Sequence, residues 1–184
     1  MLYRRGDAAR QLFVVQSGTM AVLCPSGDGR QALVALLGSG EVLGLCNLFD
    51  DTVRSTEARA LEPSTVVSVP YERIRRVIEQ RPALLWTLSR LLADRLRALD
   101  QALADNVFLD VTGRTAKRLI QLAGDAQEFE LPVTQEELAS LVGASRERVN
   151  KALATFTRLG WLEQRDRRYR ITDRQQLARR AGAA

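Results

Sequence analysis

Between residues 83 and 109 the chain runs without a single glycine or proline. An uninterrupted segment of that length predicts one helix reaching about 40 Å at 1.5 Å per residue, long for a chain of this size. Leu85, Leu88, Leu92, Leu96, Leu99, Leu103 and Leu109 fall near one stripe of that helix, while Arg90, Asp94, Arg97 and Asp105 lie elsewhere. Two arrangements can cover such a stripe. It can pack on the rest of its own chain, or it can form a two-stranded seam with a second copy, which the near-heptad spacing favours. The expectation is a homodimer whose interface is Leu85, Leu88, Leu92, Leu96, Leu99 and Leu103.

On the N-terminal side, turn signals interrupt the chain at short intervals: Ser17-Gly18, Pro25-Ser26-Gly27-Asp28-Gly29, Gly38-Ser39-Gly40, Asp50-Asp51 and Glu62-Pro63-Ser64. Between them lie apolar and β-branched runs of strand length, Leu12 to Val15, Met20 to Leu23, Ala32 to Leu37 and Thr65 to Val69. That spacing predicts a small antiparallel sandwich or barrel over the first 70 residues. Tyr71 to Gln80 reads as a short helix, and Pro82 suits the first turn of the long one.

Beyond Asp110 the pattern is helical again, from Gly113 to about Ala123, followed by a short linker from Gly124 to Glu128. Thr134-Gln135-Glu136-Glu137 has the spacing of a capping box and opens a helix through Leu138, Leu141 and Val142. Gly143 allows a tight turn, and Ser145 caps a second helix that carries Val149, Ala152, Leu153 and Phe156 on its buried side and ends at Gly160. Two such helices form a helix-turn-helix. Trp161 to Gln164 and Tyr169 to Thr172 flank the polar turn Arg165-Asp166-Arg167-Arg168, a hairpin in the position of a wing.

Charge is distributed to match. The net charge is +5, and residues 1 to 110 hold equal numbers of basic and acidic side chains, so the whole excess lies after Asp110. That part of the chain is the one suited to a polyanion. On the second helix, Arg146, Glu147, Asn150 and Lys151 avoid the apolar stripe near its N-terminal end, where a recognition helix meets base edges. Arginine suits guanine O6 and N7, and glutamate accepts from cytosine N4. An acidic residue among basic ones argues for sequence readout, although Glu147 also suits a helix N-terminus on charge alone. Thr134, Gln135, Ser145, Arg165, Arg167 and Arg168 are the expected phosphate contacts.

Absences narrow the chemistry. There is no histidine, so the commonest general base, haem ligand and zinc ligand are all missing. Cys24 and Cys46 are the only cysteines, too few for a four-cysteine cluster, and read as reduced core thiols, with a redox-sensing Cys46 as the alternative. No catalytic residue, metal site or certain cofactor is expected. With no long apolar span and no secretory h-region, the expected location is the cytoplasm, with no membrane partner.

The residues Phe108 to Arg114, followed by Thr134 to Lys151, resemble the hinge and helix-turn-helix of the cyclic-AMP receptor protein and FNR family of bacterial transcription regulators. Ser17-Gly18, Gly40 to Gly44, and Leu48-Phe49-Asp50 before Arg54-Ser55 resemble that family's effector domain. The resemblance implies an α+β chain. A β-roll effector domain of the cyclic-nucleotide-binding jelly-roll type spans 1–81, N-terminally short because members carry a helix and further strands before the position of Leu2. A dimerisation helix spans 82–109 and a winged helix-turn-helix 110–184. It further implies a homodimer on double-stranded DNA reading a TGTGA-like palindrome through Arg146, Glu147 and Lys151, with RNA polymerase as a protein partner.

The effector site implied is Gly44, Arg54 and Ser55. In members that respond to cyclic AMP, a Gly-Glu pair holds the ribose and an Arg-Ser pair the cyclic phosphate. Here Leu45 follows Gly44, and Leu99-Asp100 replaces the Thr-Ser pair that meets adenine. The implied response to cyclic AMP is therefore weak or absent, leaving another small effector or none. Arg54 could instead pair with Asp50 or Asp51. A contrasting function is a ligand-binding module that acts through protein partners.

Overall fold

The computed structural model describes residues 1–27, 31–50 and 52–182. Asp28 and Gly29 of the second predicted turn, and Asp51, lie outside them. The chain forms two compact units, Met1–Asp100 and Gln101–Ala184.

The first unit contains strands β1 (Gln11–Ser17), β2 (Met20–Pro25), β3 (Gln31–Leu37), β4 (Val42–Leu43), β5 (Glu57–Ala60) and β6 (Thr65–Pro70), with a one-turn helix α1 (Asn47–Asp50) before β5. They make two three-stranded antiparallel sheets, ordered β4-β1-β6 and β3-β2-β5. Alternation along β1 explains how they stack, since successive side chains of a strand point to opposite faces. Phe13 and Val15 join Met20, Leu37 and Ala58 of the other sheet in one buried cluster. Leu12, on the opposite face, joins Leu45, Leu48 and Tyr71 in a second.

Helix α2 (Tyr71–Gln80) and the first part of α3 (Leu84–Phe108) cover that second cluster with Ile74, Ile78, Leu88 and Leu92. The leucine stripe is thus divided. Leu88 and Leu92 pack on the β unit, whereas Leu85, Leu96, Leu99 and Leu103 are 41, 59, 62 and 66% exposed. The expectation of buried thiols is corrected: Cys24 and Cys46 are both exposed, Cys24 because it follows the buried Leu23 on β2 and points to the opposite face.

The second unit holds α4 (Val111–Ala123), β7 (Glu128–Glu130), α5 (Gln135–Val142), α6 (Arg146–Arg158), β8 (Leu162–Arg165), β9 (Arg168–Ile171) and α7 (Arg174–Arg180), together with the end of α3. Leu119, Leu138, Val149, Phe156, Tyr169 and Leu177 are fully buried at its centre. The strands form one sheet, β7-β9-β8. The hairpin turn is tighter than the sequence suggests. Arg165 and Arg168 are paired strand residues, and only Asp166 and Arg167 make the turn, Asp166 at φ 53°. No helix among the described residues is long and apolar enough to cross a membrane.

Candidate nucleic-acid interface

Helix α6 is presented by its start. The Ser145 hydroxyl accepts the Arg148 amide, and before it Gly143 closes α5 at φ 69°, a left-handed conformation that costs a glycine little. Helix α5 is fixed by the predicted capping box: the Thr134 hydroxyl accepts from the Glu137 amide at 3.2 Å, and the Glu137 carboxylate accepts from the Thr134 amide at 2.7 Å. Val149, Ala152, Leu153 and Phe156 are buried on one side of α6, as their spacing requires. Arg146, Glu147, Asn150 and Lys151 are all exposed, grouped at the N-terminal end of the helix.

Within that group Glu147 and Lys151 form an ion pair at 2.7 Å, one turn apart. The hydrogen bond from Lys151, aided by its charge, holds the Glu147 carboxyl below the usual range, so Glu147 is an acceptor at neutral pH. Arg148, which carried no expected role, is also exposed in the first turn. Its sequence signal is simply a basic residue beside Glu147.

The expected phosphate contacts divide. Thr134 and Ser145 are exposed but serve as caps. Gln135 turns inward: its amide nitrogen donates to the Tyr169 hydroxyl at 2.6 Å, and its amide oxygen is buried with no partner among the described residues. Arg165 and Arg168 are exposed on adjacent strand ends. Arg167 donates back to the Leu131 carbonyl at 3.0 Å and lies 3.9 Å from Glu130.

In the β unit, Gly44 and Arg54 come together and Ser55 is exposed nearby in sequence. Arg54 is only 3% exposed. It donates to the Tyr71 hydroxyl at 3.0 Å, to Asn47 Oδ1 at 3.4 Å and to the Gln11 carbonyl. Three aromatic rings surround its guanidinium, with centroids at 4.5 Å for Tyr3, 5.6 Å for Phe13 and 5.9 Å for Tyr71, a cation–π setting. Burial pushes the Tyr71 hydroxyl above its usual range although Arg54 opposes this, so it stays protonated and donates to the Gly44 carbonyl.

Gly44 is at φ 80°, and a Cβ there would lie 2.2 Å from Arg54 Nη1, so the residue must be glycine for Arg54 to occupy this place. Leu45 is 1% exposed within the second cluster. Asp50 is not the partner of Arg54: its carboxylate accepts from Thr52 and Asn47 instead.

Comparisons with known proteins agree with both units. A family described as the cyclic nucleotide-binding domain matches residues 1–81, and one described as the Crp-like helix-turn-helix domain matches residues 113–180. The chain is 38% identical, over 98% of its length and 84% of the relative's, to the CRP-like cAMP-activated global transcriptional regulator of Mycobacterium tuberculosis. It is 32% identical to the cAMP-activated global transcriptional regulator Vfr of Pseudomonas aeruginosa, over 84% of this chain and 77% of that one. Among solved structures, the c-di-GMP responsive global regulator CLP of Xanthomonas campestris superposes with TM-score 0.79 at 28% identity, covering 92% of this chain and 88% of that one. FixK2 of Bradyrhizobium japonicum superposes with TM-score 0.89 at 21% identity over 100% and 93%, a likeness of fold. With a nucleotide-binding-type β unit and a capped helix-turn-helix in one chain, the protein belongs to the Crp/Fnr family of DNA-binding transcription regulators.

Proposed function

We propose that this regulator acts as a homodimer, reads a TGTGA-like palindrome and depends weakly or not at all on cyclic AMP. The observation that carries the DNA reading is the exposed group Arg146, Glu147, Asn150 and Lys151 at the capped start of α6. It supplies donors for guanine and an ionised acceptor for cytosine at adjacent positions of one helix. Thr134, Ser145, Arg165 and Arg168 position the unit on phosphates, with a smaller contribution from the tethered Arg167, while Gln135 acts through its hydrogen bond to Tyr169 of β9.

Dimerisation runs through the long helix of a middle segment, 82–109, between an effector unit at 1–81 and the DNA-binding unit at 110–184. Leu85, Leu96, Leu99 and Leu103 make the seam, and the half-buried Leu92 joins it. Leu88 contributes by anchoring the helix to the β unit.

The effector reading rests on Leu45, Arg54 and Gly44. A buried leucine offers a ribose hydroxyl no acceptor, and leaving that hydroxyl unpaired costs about 1–3 kcal/mol. A phosphate at Gly44, Arg54 and Ser55 has to compete for Arg54 with Tyr71 and Gln11. The relatives at 38 and 32% identity are called cAMP-activated, and that likeness favours the second reading, a cyclic-AMP-responsive regulator. RNA polymerase is the protein partner proposed for either reading.

Titrating a fluorescent TGTGA palindrome and a scrambled duplex at fixed salt, with and without cyclic AMP, tests both. Preference for the palindrome that is unchanged by the nucleotide is expected. Preference that appears only with the nucleotide selects the second reading, and equal binding of both duplexes refutes sequence readout.

A further inference from the structure

A helix leaves its last carbonyls without donors of its own. At the end of α5, the Ala139 and Ser140 carbonyls are met by the amides of Gly143 and Ala144. The next three are met from outside, by two arginines of α4 spaced one turn apart. Arg118 Nε donates to the Leu141 carbonyl at 3.1 Å. Arg114 Nε donates to the Val142 carbonyl at 2.8 Å, and Arg114 Nη2 to the Gly143 carbonyl at 3.3 Å. The other ends of the two forks are also engaged, Arg114 Nη1 with the Leu109 carbonyl at 2.7 Å and Arg118 Nη1 with Gln121 Oε1 at 2.9 Å. Positive charge at a helix C-terminus is favoured by the dipole as well as by these bonds.

A counter-charge acts on Arg118. Lys117 and Asp105 form an ion pair at 2.6 Å with side chains only 24 and 17% exposed, and Gln101 donates to the same carboxylate at 2.9 Å. Burial works to raise the Asp105 carboxyl, but the hydrogen bonds from Lys117 and Gln101 and the charges of Lys117 and Arg118 outweigh it and hold it low. Burial in turn lowers the Arg118 guanidinium, and the Asp105 charge acts the other way. The carbonyls gripped by Arg114 and Arg118 lead straight into Gly143, Ala144 and Ser145, the turn from which α6 starts.

We propose that Arg118, working with Arg114, is a positioning residue for DNA readout: it fixes the turn before α6, and so the placement of Arg146, Glu147 and Lys151, without touching DNA. The proposal rests on the reading of α6 as the base-reading helix. Misplacing a reading group by a fraction of an ångström weakens base contacts while leaving the phosphate field intact.

The test uses the full chain with Arg118→Gln, which removes the charge and most donors, and Arg118→Lys, which keeps the charge and a donor group but not the fork that reaches both acceptors. Two measurements are made, affinity for the palindrome and a scrambled duplex over a salt series, and backbone amide exchange. For Arg118→Gln the expected result is about a tenfold loss on the palindrome, the worth of one charge-assisted hydrogen bond. Scrambled binding stays within about twofold and the salt slope is unchanged, because no phosphate contact is lost. Exchange accelerates across residues 141–149, and Arg118→Lys falls between wild type and Arg118→Gln. Weakening of both duplexes together, with a salt slope reduced by about 1, makes Arg118 a phosphate contact and overturns the proposal. So do unchanged affinity and unchanged exchange. A wild-type chain that fails to discriminate the duplexes refutes the reading of α6 instead, and the exchange data still decide whether Arg118 holds that turn.

Discussion

Replacing Leu99 by alanine tests the proposed seam where it is most open. Leu99 is 62% exposed in the single chain. Full burial of a leucine side chain is worth about 1.5–3 kcal/mol, so covering the exposed part contributes about 1–2 kcal/mol per protomer. In a two-fold symmetric dimer the same residue is covered twice, about 2–4 kcal/mol in all. At about 1.4 kcal/mol per decade, Leu99→Ala raises the dimer dissociation constant by about 30- to 700-fold. Alanine is the best helix former, so the helix itself is not weakened. Sedimentation equilibrium over a concentration series reads the constant directly. Leu88→Ala is the matching control: Leu88 packs on the cluster of Leu12, Leu45, Leu48 and Tyr71, so it should lower the melting temperature of the β unit and leave dimerisation nearly unchanged. A Leu99→Ala dissociation constant within about twofold of wild type refutes the seam, since even the lower estimate predicts more than a tenfold change.

Other consequences follow from particular contacts. Gly44→Ala places a Cβ 2.2 Å from Arg54 Nη1 at a φ of 80°, and should destabilise the chain by about 2 kcal/mol or more in chemical denaturation; a neutral result contradicts the packing of Arg54 under Gly44. Asp110 caps α4 and pairs with Arg180. Its carboxyl is held low chiefly by the Gly113 amide, with burial opposing and Arg180 adding to the effect. Because the folded value is depressed, the stabilisation is complete above the unfolded value of 3.8 and is lost as pH falls through the lower folded value. Asp110→Ala should therefore cost about 1 kcal/mol near neutral pH and less once both states are protonated, when only the uncharged cap to the Gly113 amide remains, which a pH series of urea melts measures. Glu147→Gln, at the one acidic position of the reading group, should relax the preference for cytosine at one base pair by about 1–3 kcal/mol in a competition assay on point-substituted half-sites; retained preference assigns that base to another residue.

Much of the DNA-binding unit was legible because its elements carry local signals. The capping box at Thr134 and Glu137, the cap at Ser145 and the apolar spacing of Val149, Ala152, Leu153 and Phe156 all appear where the sequence puts them. Strand β7, with the residues Glu-Phe-Glu, and β5, with Glu-Ala-Arg-Ala, carry no strand signal of their own; they are strands because β9 and β2 pair with them. The leucine stripe could not be divided from its spacing, since nothing local distinguishes Leu88, which meets the β unit, from Leu96, which is left open. Arg54 was the least legible. Tyr3, Phe13 and Tyr71 are distant in sequence, and only the stacking of two sheets and a helix gathers them around one guanidinium.

Sequence readout by α6 is measured by the ratio of affinities for the TGTGA palindrome and its scrambled counterpart at about 150 mM salt, where nonspecific attraction is already weakened. Base reading by Arg146, Glu147 and Lys151 predicts a preference of about a thousandfold or more, present without cyclic AMP. Equal affinities for the two duplexes, falling together as salt rises, would mean that the basic surface binds phosphates alone and would contradict it.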